Sequence, residues 1–258
     1  MCRRKNELLT AADVSRFHKN GFVVAEGLAD GEVCDELQAL AVNHLQQNLA
    51  PVEYEVDLQY PGSPVHPEAL GGMTVRRLLQ ACSRDLAFRK WAAHASVKAC
   101  LQQLFELEQI GLSQCHHNCI MTKQPGFSSV TLWHQDNRYW AFDQDNLISV
   151  WLALDEENHK NGCLRVIPGS HRLALDPGRF DASLFLRADL AENKALIKRA
   201  ERVELKAGDI LFFHSKLFHA AGRNLSDQIK FSVVFTYHDF NNHPIAATRS
   251  AQFPSINI

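Results

Sequence analysis

The chain has 258 residues, 46% of them hydrophobic and 22% charged, with a formal net charge of −2. This is the composition of one large globular domain, and it excludes a nucleic-acid surface built on surplus Lys and Arg. No apolar run reaches the length of a membrane span, and seven cysteines, odd in number and irregularly spaced, exclude a disulfide framework.

The N-terminal segment MCRRKNELLTAADV carries the basic cluster Arg3-Arg4-Lys5 but no apolar stretch behind it. It does not read as a secretory signal, so a reducing compartment, the cytoplasm, is expected. Thr10-Ala11-Ala12-Asp13 has the form of a capping box, and Gly21 ends the helix it starts. Phe22-Val23-Val24 reads as a short strand. Residues 31–49 place Val33, Leu37, Leu40, Val42, Leu45 and Leu49 near helical spacing. Residues 51–72, thick in Pro, Gly and polar groups, read as loop, and 73–106 as helix in two pieces. A helical N-terminal part is thus expected to about residue 110.

From residue 115 the texture turns to strand. ISVWLAL (148–154), CLRVIPG (163–169), RVELKAG (202–208), DILFFHS (209–215) and IKFSVVFTYH (229–238) are separated by Asn161-Gly162, Pro168-Gly169 and Gly208-Asp209 turns. Strands without intervening helices imply a sandwich or barrel over about 115–240. Residues 173–200 interrupt them as a long insert with one helix near its end, the form of a lid.

Within LWHQDNRYW (132–140), His134 and Asp136 stand at i and i+2, so on an extended strand they share one face. A neutral imidazole and a carboxylate on one face are two of the three ligands of a facial-triad iron site. The third must come from far along the chain, and His159, His171, His214, His219, His238 and His243 are all available. His214 and His219 are five apart and would face opposite sides of one extended strand.

Three blocks in order, TKQPG…WHQDNRYW, SVWLALDEENHKNGCLRVIPGSHR and GDILFFHSKLFHAAGRNLSDQIKFSVVFTYH, resemble the phytanoyl-CoA dioxygenase family, and FHKNGFVVAEGL resembles its opening helix and strand. The resemblance implies a mainly β single domain over 1–258: a double-stranded β-helix (jelly-roll, cupin-like) with N-terminal helices packed outside. It implies an oxygenase that uses Fe(II), with 2-oxoglutarate and O2 as co-substrates, on a small molecule. His134, Asp136 and His219 become the catalytic metal ligands, and Gln135 and Trp151 match positions lining the co-substrate pocket. The family arginine that binds the far carboxylate of 2-oxoglutarate stands eleven residues after the distal histidine, where this chain has Lys230. A lysine keeps the charge and gives up the planar fork. Ser232, on the same strand face, and Lys123, in TKQPG, can add donors, and Arg223 is the fallback cation. Related halogenases lack the motif carboxylate, so Asp136 argues against halogenation. The lysine also leaves a second reading, a silent barrel that binds a metal or ligand without turnover.

Arg138, beside the motif, is a candidate substrate anchor because a charge there needs solvent or an anion. Trp133, Tyr139, Trp140 and Phe142 are candidates for a substrate wall. CHHNC (115–119) lacks the second ligand pair that a structural zinc site needs. It reads as a pocket-wall strand with Cys115, His117 and Cys119 on one face and His116 on the other. Ser215 lies in no GxSxG turn, which argues against a hydrolase.

Overall fold

The computed structural model describes residues 8–258, so Cys2 and the Arg3–Lys5 cluster lie outside the described residues. The helices are α1 (Ala11–Asn20), α2 (Gly31–Gln46), α3 (Glu55–Leu58), α4 (Ala81–Arg84), α5 (Leu86–Ala92), α6 (Ala95–Phe105) and α7 (Ala191–Ile197). The strands are β1 (Phe22–Ala25), β2 (Val52–Tyr54), β3 (Val75–Leu79), β4 (Ile110–Lys123), β5 (Thr131–His134), β6 (Leu147–Ala153), β7 (Leu164–Val166), β8 (Glu201–Val203), β9 (Ile210–His214), β10 (His219–Ala221), β11 (Lys230–Asp239) and β12 (Ile256–Asn257). A large sheet runs β1-β9-β6-β11-β4-β3-β2, with β12 also on β4, and a small sheet runs β5-β10-β7-β8.

This is the expected double-stranded β-helix, two facing antiparallel sheets that do not close into one barrel. Alternation along β11 assigns its two faces. Phe231, Val233, Phe235 and Tyr237 point outward into a core shared with Leu37 of α2, Phe88 of α5, and Leu101 and Leu104 of α6. Val234 points inward with Trp151 and Leu211 toward Leu164, Val166 and Ala221 of the small sheet. Each fully buried Phe or Leu contributes roughly 1.5–3 kcal/mol. The helical layer therefore stiffens the wall on which the site is built.

Local signals at the N-terminus behave as read. Thr10 Oγ1 accepts from Asp13 N–H at 3.2 Å, and the Asp13 carboxylate accepts from Thr10 N–H at 3.0 Å. Gly21 ends α1 at φ +83, and a Cβ there would lie 2.5 Å from the His171 ring, so glycine is required twice over.

Other expectations are corrected. Residues 51–72 contain β2 and α3, and 73–106 opens with strand β3, so the N-terminal part adds three strands to the large sheet. Val75, Leu78 and Leu79 fit helical spacing as well as a strand, so periodicity could not choose. The free edge of β4 does, through Arg77↔Met121 and Leu79↔Cys119. CHHNC lies in β4 but does not alternate. Phe235 pairs with Asn118 while the next residue, Thr236, pairs with Ser113, so residues 114–117 bulge out of the ladder. Both His116 and His117 reach the interior pocket as a result. His214 and His219 belong to β9 and β10, in different sheets.

His214 packs on His171 with ring centroids 5.3 Å apart, and its Nδ1 accepts from Lys216 N–H at 3.0 Å. Burial, then His171 and Lys216, pull its pKa from 6.5 to about 3. A histidine depressed in the folded state stabilises fully above its unfolded pKa, and the stabilisation is lost as pH falls toward the folded value. Melting temperature is therefore expected to drop between pH 6.5 and 3. His214→Asn, which keeps an acceptor without titrating, should flatten part of that slope in a pH series of thermal melts.

Candidate metal centre and the pocket beside it

The small sheet brings two histidines together. β5 and β10 run antiparallel with His134 opposite His219, and their ring centroids are 4.2 Å apart. His134 Nδ1 donates to Leu132 O at 2.8 Å, and His219 Nδ1 donates to Leu217 O at 3.0 Å. Each bond spends the Nδ1 proton on backbone and leaves Nε2 as a bare acceptor, the arrangement of metal-binding imidazoles.

Asp136 reaches the same point by another route than the one expected. β5 ends at His134, and Asp136 opens a 3-10 turn, Asp136–Tyr139. The extended Gln135 between them still aims both side chains at one spot. Asp136 Oδ1 lies 3.6 Å from His134 Nε2 and 3.5 Å from His219 Nε2. All three ligand atoms fall within 4.8 Å of one another. Atoms bound at roughly 2.1 Å to a common ion lie about 3–4 Å apart, so this donor set fits one divalent cation. Ser149 Oγ donates to Asp136 Oδ2 at 3.2 Å and orients the carboxylate.

The electrostatics suit a cation. Burial works to raise the Asp136 pKa, but His117, His219 and His134 outweigh it and hold the carboxyl well below the usual carboxylate range. Burial, then His134, pulls His219 down to about 4, and burial lowers His117. Near neutral pH the site therefore presents an ionised carboxylate and neutral His117 and His219 rings.

These groups line a cavity of about 280 Å³. Trp151, Lys123, Lys230, Tyr139 and Trp140 line it too, as the sequence suggested. Trp133 packs instead with Phe218 and Ile167, and Phe142 with Leu147, as ordinary core. Gln135 does not line it, because its amide donates to Lys216 O at 2.5 Å. Arg223 donates to Ser128 O and Gly126 O, and the fallback lapses. Arg138 lies outside the lining, over the Phe185 ring at 3.8 Å and donating to Ser183 O of the 173–200 insert.

Lys230 is where the structure adds most. Its Nζ donates to Glu157 Oε2 at 2.6 Å, with side chains 3% and 0% exposed. Ser232 Oγ and Trp151 Nε1 donate to Glu157 Oε1 at 2.6 and 2.8 Å. Lys230 and Ser232, expected to meet an external carboxylate, and Trp151, expected to line its pocket, thus meet an internal one. Glu157 sits in DEENHKNG and is not among the candidate residues of the sequence; its N–H and C=O pair with Leu205 and pull it inside. His117, read only as part of a pocket-wall strand, has its Nε2 3.5 Å from Asp136 Oδ1. Arg76, in a segment read as helix, lines the cavity and pairs with Glu55 at 3.3 Å. Lys123 differs from these cations. Its Nζ lies 3.4 Å from Ser129 O and has no carboxylate within ion-pair distance among the described residues. Burial, then Arg76 and Lys230, lower its pKa to about 7.

The phytanoyl-CoA dioxygenase (PhyH) family model matches residues 17–232. The chain belongs to the phytanoyl-CoA dioxygenase family. Relatives include a rice phytanoyl-CoA dioxygenase 1, 30% identical over 55% of this chain and 49% of that protein. A zebrafish (Danio rerio) phytanoyl-CoA dioxygenase domain-containing protein 1 is 22% identical over 97% of this chain and 99% of its own. The match spans about half the length of the rice relative. Among solved structures, iron-bound EctD of S. alaskensis superposes with a TM-score of 0.76 at 19% identity, covering 97% of this chain and 84% of that one. The epimerase SnoN, in complex with Fe3+, alpha ketoglutarate and nogalamycin RO, gives 0.72 at 21% identity, covering 90% and 84%. At these identities the likeness carries the fold, and the family's double-stranded β-helix is the fold of this chain.

The Glu157–Lys230 pair yields a stability prediction. Removing one partner of a buried pair strands the other charge, a loss of about 3–5 kcal/mol, whereas removing both charges together leaves none stranded. Lys230→Met alone should be strongly destabilised in urea denaturation, and Glu157→Gln/Lys230→Met should recover most of the loss.

Proposed function

We propose that this protein is an Fe(II)- and 2-oxoglutarate-dependent dioxygenase that hydroxylates a small molecule, with O2 consumed and succinate and CO2 released. The observation that carries this reading is the convergence of two bare Nε2 atoms and one ionised carboxylate on the wall of a buried, cation-lined cavity. His134, Asp136 and His219 would hold the iron. When bound, the iron and its oxo-acid co-substrate supply the oxygen activation needed to oxidise an unactivated C–H bond.

The chain's own residues would orient and shield that chemistry. The Leu132 and Leu217 carbonyls lock the two ring tautomers. Asp136 occupies the position a halide would need, which favours hydroxylation over halogenation. The co-substrate would lie in the same cavity, its far carboxylate toward the large sheet. Tyr139 and Trp140 would bound the substrate side, and Arg138 would brace the insert through Ser183. Leu186 N–H donates to Trp133 O and Phe185 contacts the His134 ring, which supports reading residues 173–200 as a cover over the metal. Such covers keep water from reactive species.

One observation favours the second reading, a barrel that binds without turnover: Glu157 already holds the donors of Lys230, Ser232 and Trp151. Anaerobic addition of iron(II) and 2-oxoglutarate separates the two. A visible charge-transfer band, followed by succinate release above the uncoupled background in a substrate screen, is expected of the enzyme and not of the silent barrel.

His134→Ala, Asp136→Ala and His219→Ala should each lose stoichiometric iron binding and turnover while keeping the circular dichroism of the parent. Full activity in His219→Ala would remove it from the ligand set. Hydrogen exchange of residues 173–200 should slow when iron, 2-oxoglutarate and substrate are added; equal protection in both states would rule out a closing lid.

A further inference from the structure

Lys230 stands where the family places its cation for the co-substrate, yet it is not free to act as one. Glu157 neutralises it at 2.6 Å, and the Glu157 carboxylate is saturated by Ser232 and Trp151. Glu157 is fully buried, and its backbone is pinned on both sides by Leu205. Swinging it out would strand Lys230 and break three charge-assisted contacts. An incoming carboxylate at this spot would meet a paired, neutral unit with a like charge in it.

The register of β4 and β11 sets Lys123 directly opposite Lys230. Both line the cavity, and Gly162, also in the lining, leaves room there: a Cβ on it would lie 2.7 Å from Lys123 Cε. The nearby cation Arg76 is already engaged by Glu55, Ser129 and Thr131. Lys123 is the cavity lysine with no carboxylate within ion-pair distance among the described residues.

We propose that Lys123 seats the far carboxylate of the oxo-acid co-substrate, and that Glu157 is a built-in counter-ion that keeps Lys230 from doing so. The inference rests on the dioxygenase reading above. Burial and the neighbouring cations Arg76 and Lys230, opposed by Glu55 and Glu157, leave the Lys123 ammonium near pKa 7. An anion seated on it therefore raises that pKa and draws in a proton at mildly alkaline pH.

The test is anaerobic calorimetric titration of 2-oxoglutarate into the iron(II)-loaded protein at about pH 8, in buffers of different ionisation enthalpy. The variants are Lys123→Met, Lys123→Arg and Glu157→Gln/Lys230→Met. Thermal melts confirm folding, and an iron titration confirms the metal site. Lys123→Met should weaken 2-oxoglutarate by roughly 30- to 1,000-fold, the range of a charge-assisted contact, and abolish the proton uptake seen in the parent. Lys123→Arg should restore most of the affinity. The double variant, neutral in place of neutral, should bind within about threefold of the parent.

Parent-like affinity in Lys123→Met, with a large loss in the double variant, overturns the proposal and makes Glu157 a displaceable carboxylate. Parent protein that binds iron but no 2-oxoglutarate overturns the dioxygenase reading and this inference with it. Unchanged affinity in Lys123→Met alone overturns only the inference.

Discussion

A charge carried into a dry cavity has to be answered there, because the cost of leaving it unpaired runs to several kcal/mol. That constraint organises the interior of this protein. Asp136 takes a hydrogen bond from Ser149 and faces the imidazoles of His117, His134 and His219. Glu157 is answered by Lys230, Ser232 and Trp151, Glu55 by Arg76, and Glu53 by Arg77. Where pairing is complete the wall is rigid. Where it is incomplete, at the ligand atoms of the metal centre and at Lys123, the protein is shaped for something from outside.

The two open points lie on opposite sheets of one sandwich. The histidines come from the small sheet, through the His134–His219 register. The lysines come from the large sheet, through the Lys123–Lys230 register. A ligand that reaches from the metal to the large sheet therefore spans the interior, and its length and charge at both ends are measured by the distance between sheets. The helical layer behind β11 supports that distance by packing against Phe231, Val233 and Phe235.

Departure from the family pattern at one position is compensated at another. The arginine expected at Lys230 would present several donors; the lysine presents an ammonium, and Glu157 takes it up. A long-range contact between β6's following turn and β11 thereby changes what the strand IKFSVVFTYH can offer. The bulge at 114–117 acts in the same way on β4, turning a wall strand into the source of two pocket histidines.

Much was decided by the sequence alone, where the determinants are local. The α1 capping box, Gly21, the strands after residue 147 and the i, i+2 pairing of His134 with Asp136 depend on neighbours within a few residues, and motif order was enough to indicate the family and to single out His219, which the structure sets opposite His134. The tertiary structure decided the rest because pairing partners are remote. Strand β3 carries a spacing that suits helix and strand alike, and only the edge of β4 resolves it. The 3-10 turn at Asp136 and the bulge beside His117 replace strand alternation with irregular backbone that no period describes. Glu157 carries no local signal of burial; Leu205 and Lys230, far along the chain, draw it into the core. Periodicity reports which face a residue shares with its neighbours; which charge it will meet across the cavity is fixed by sheet register.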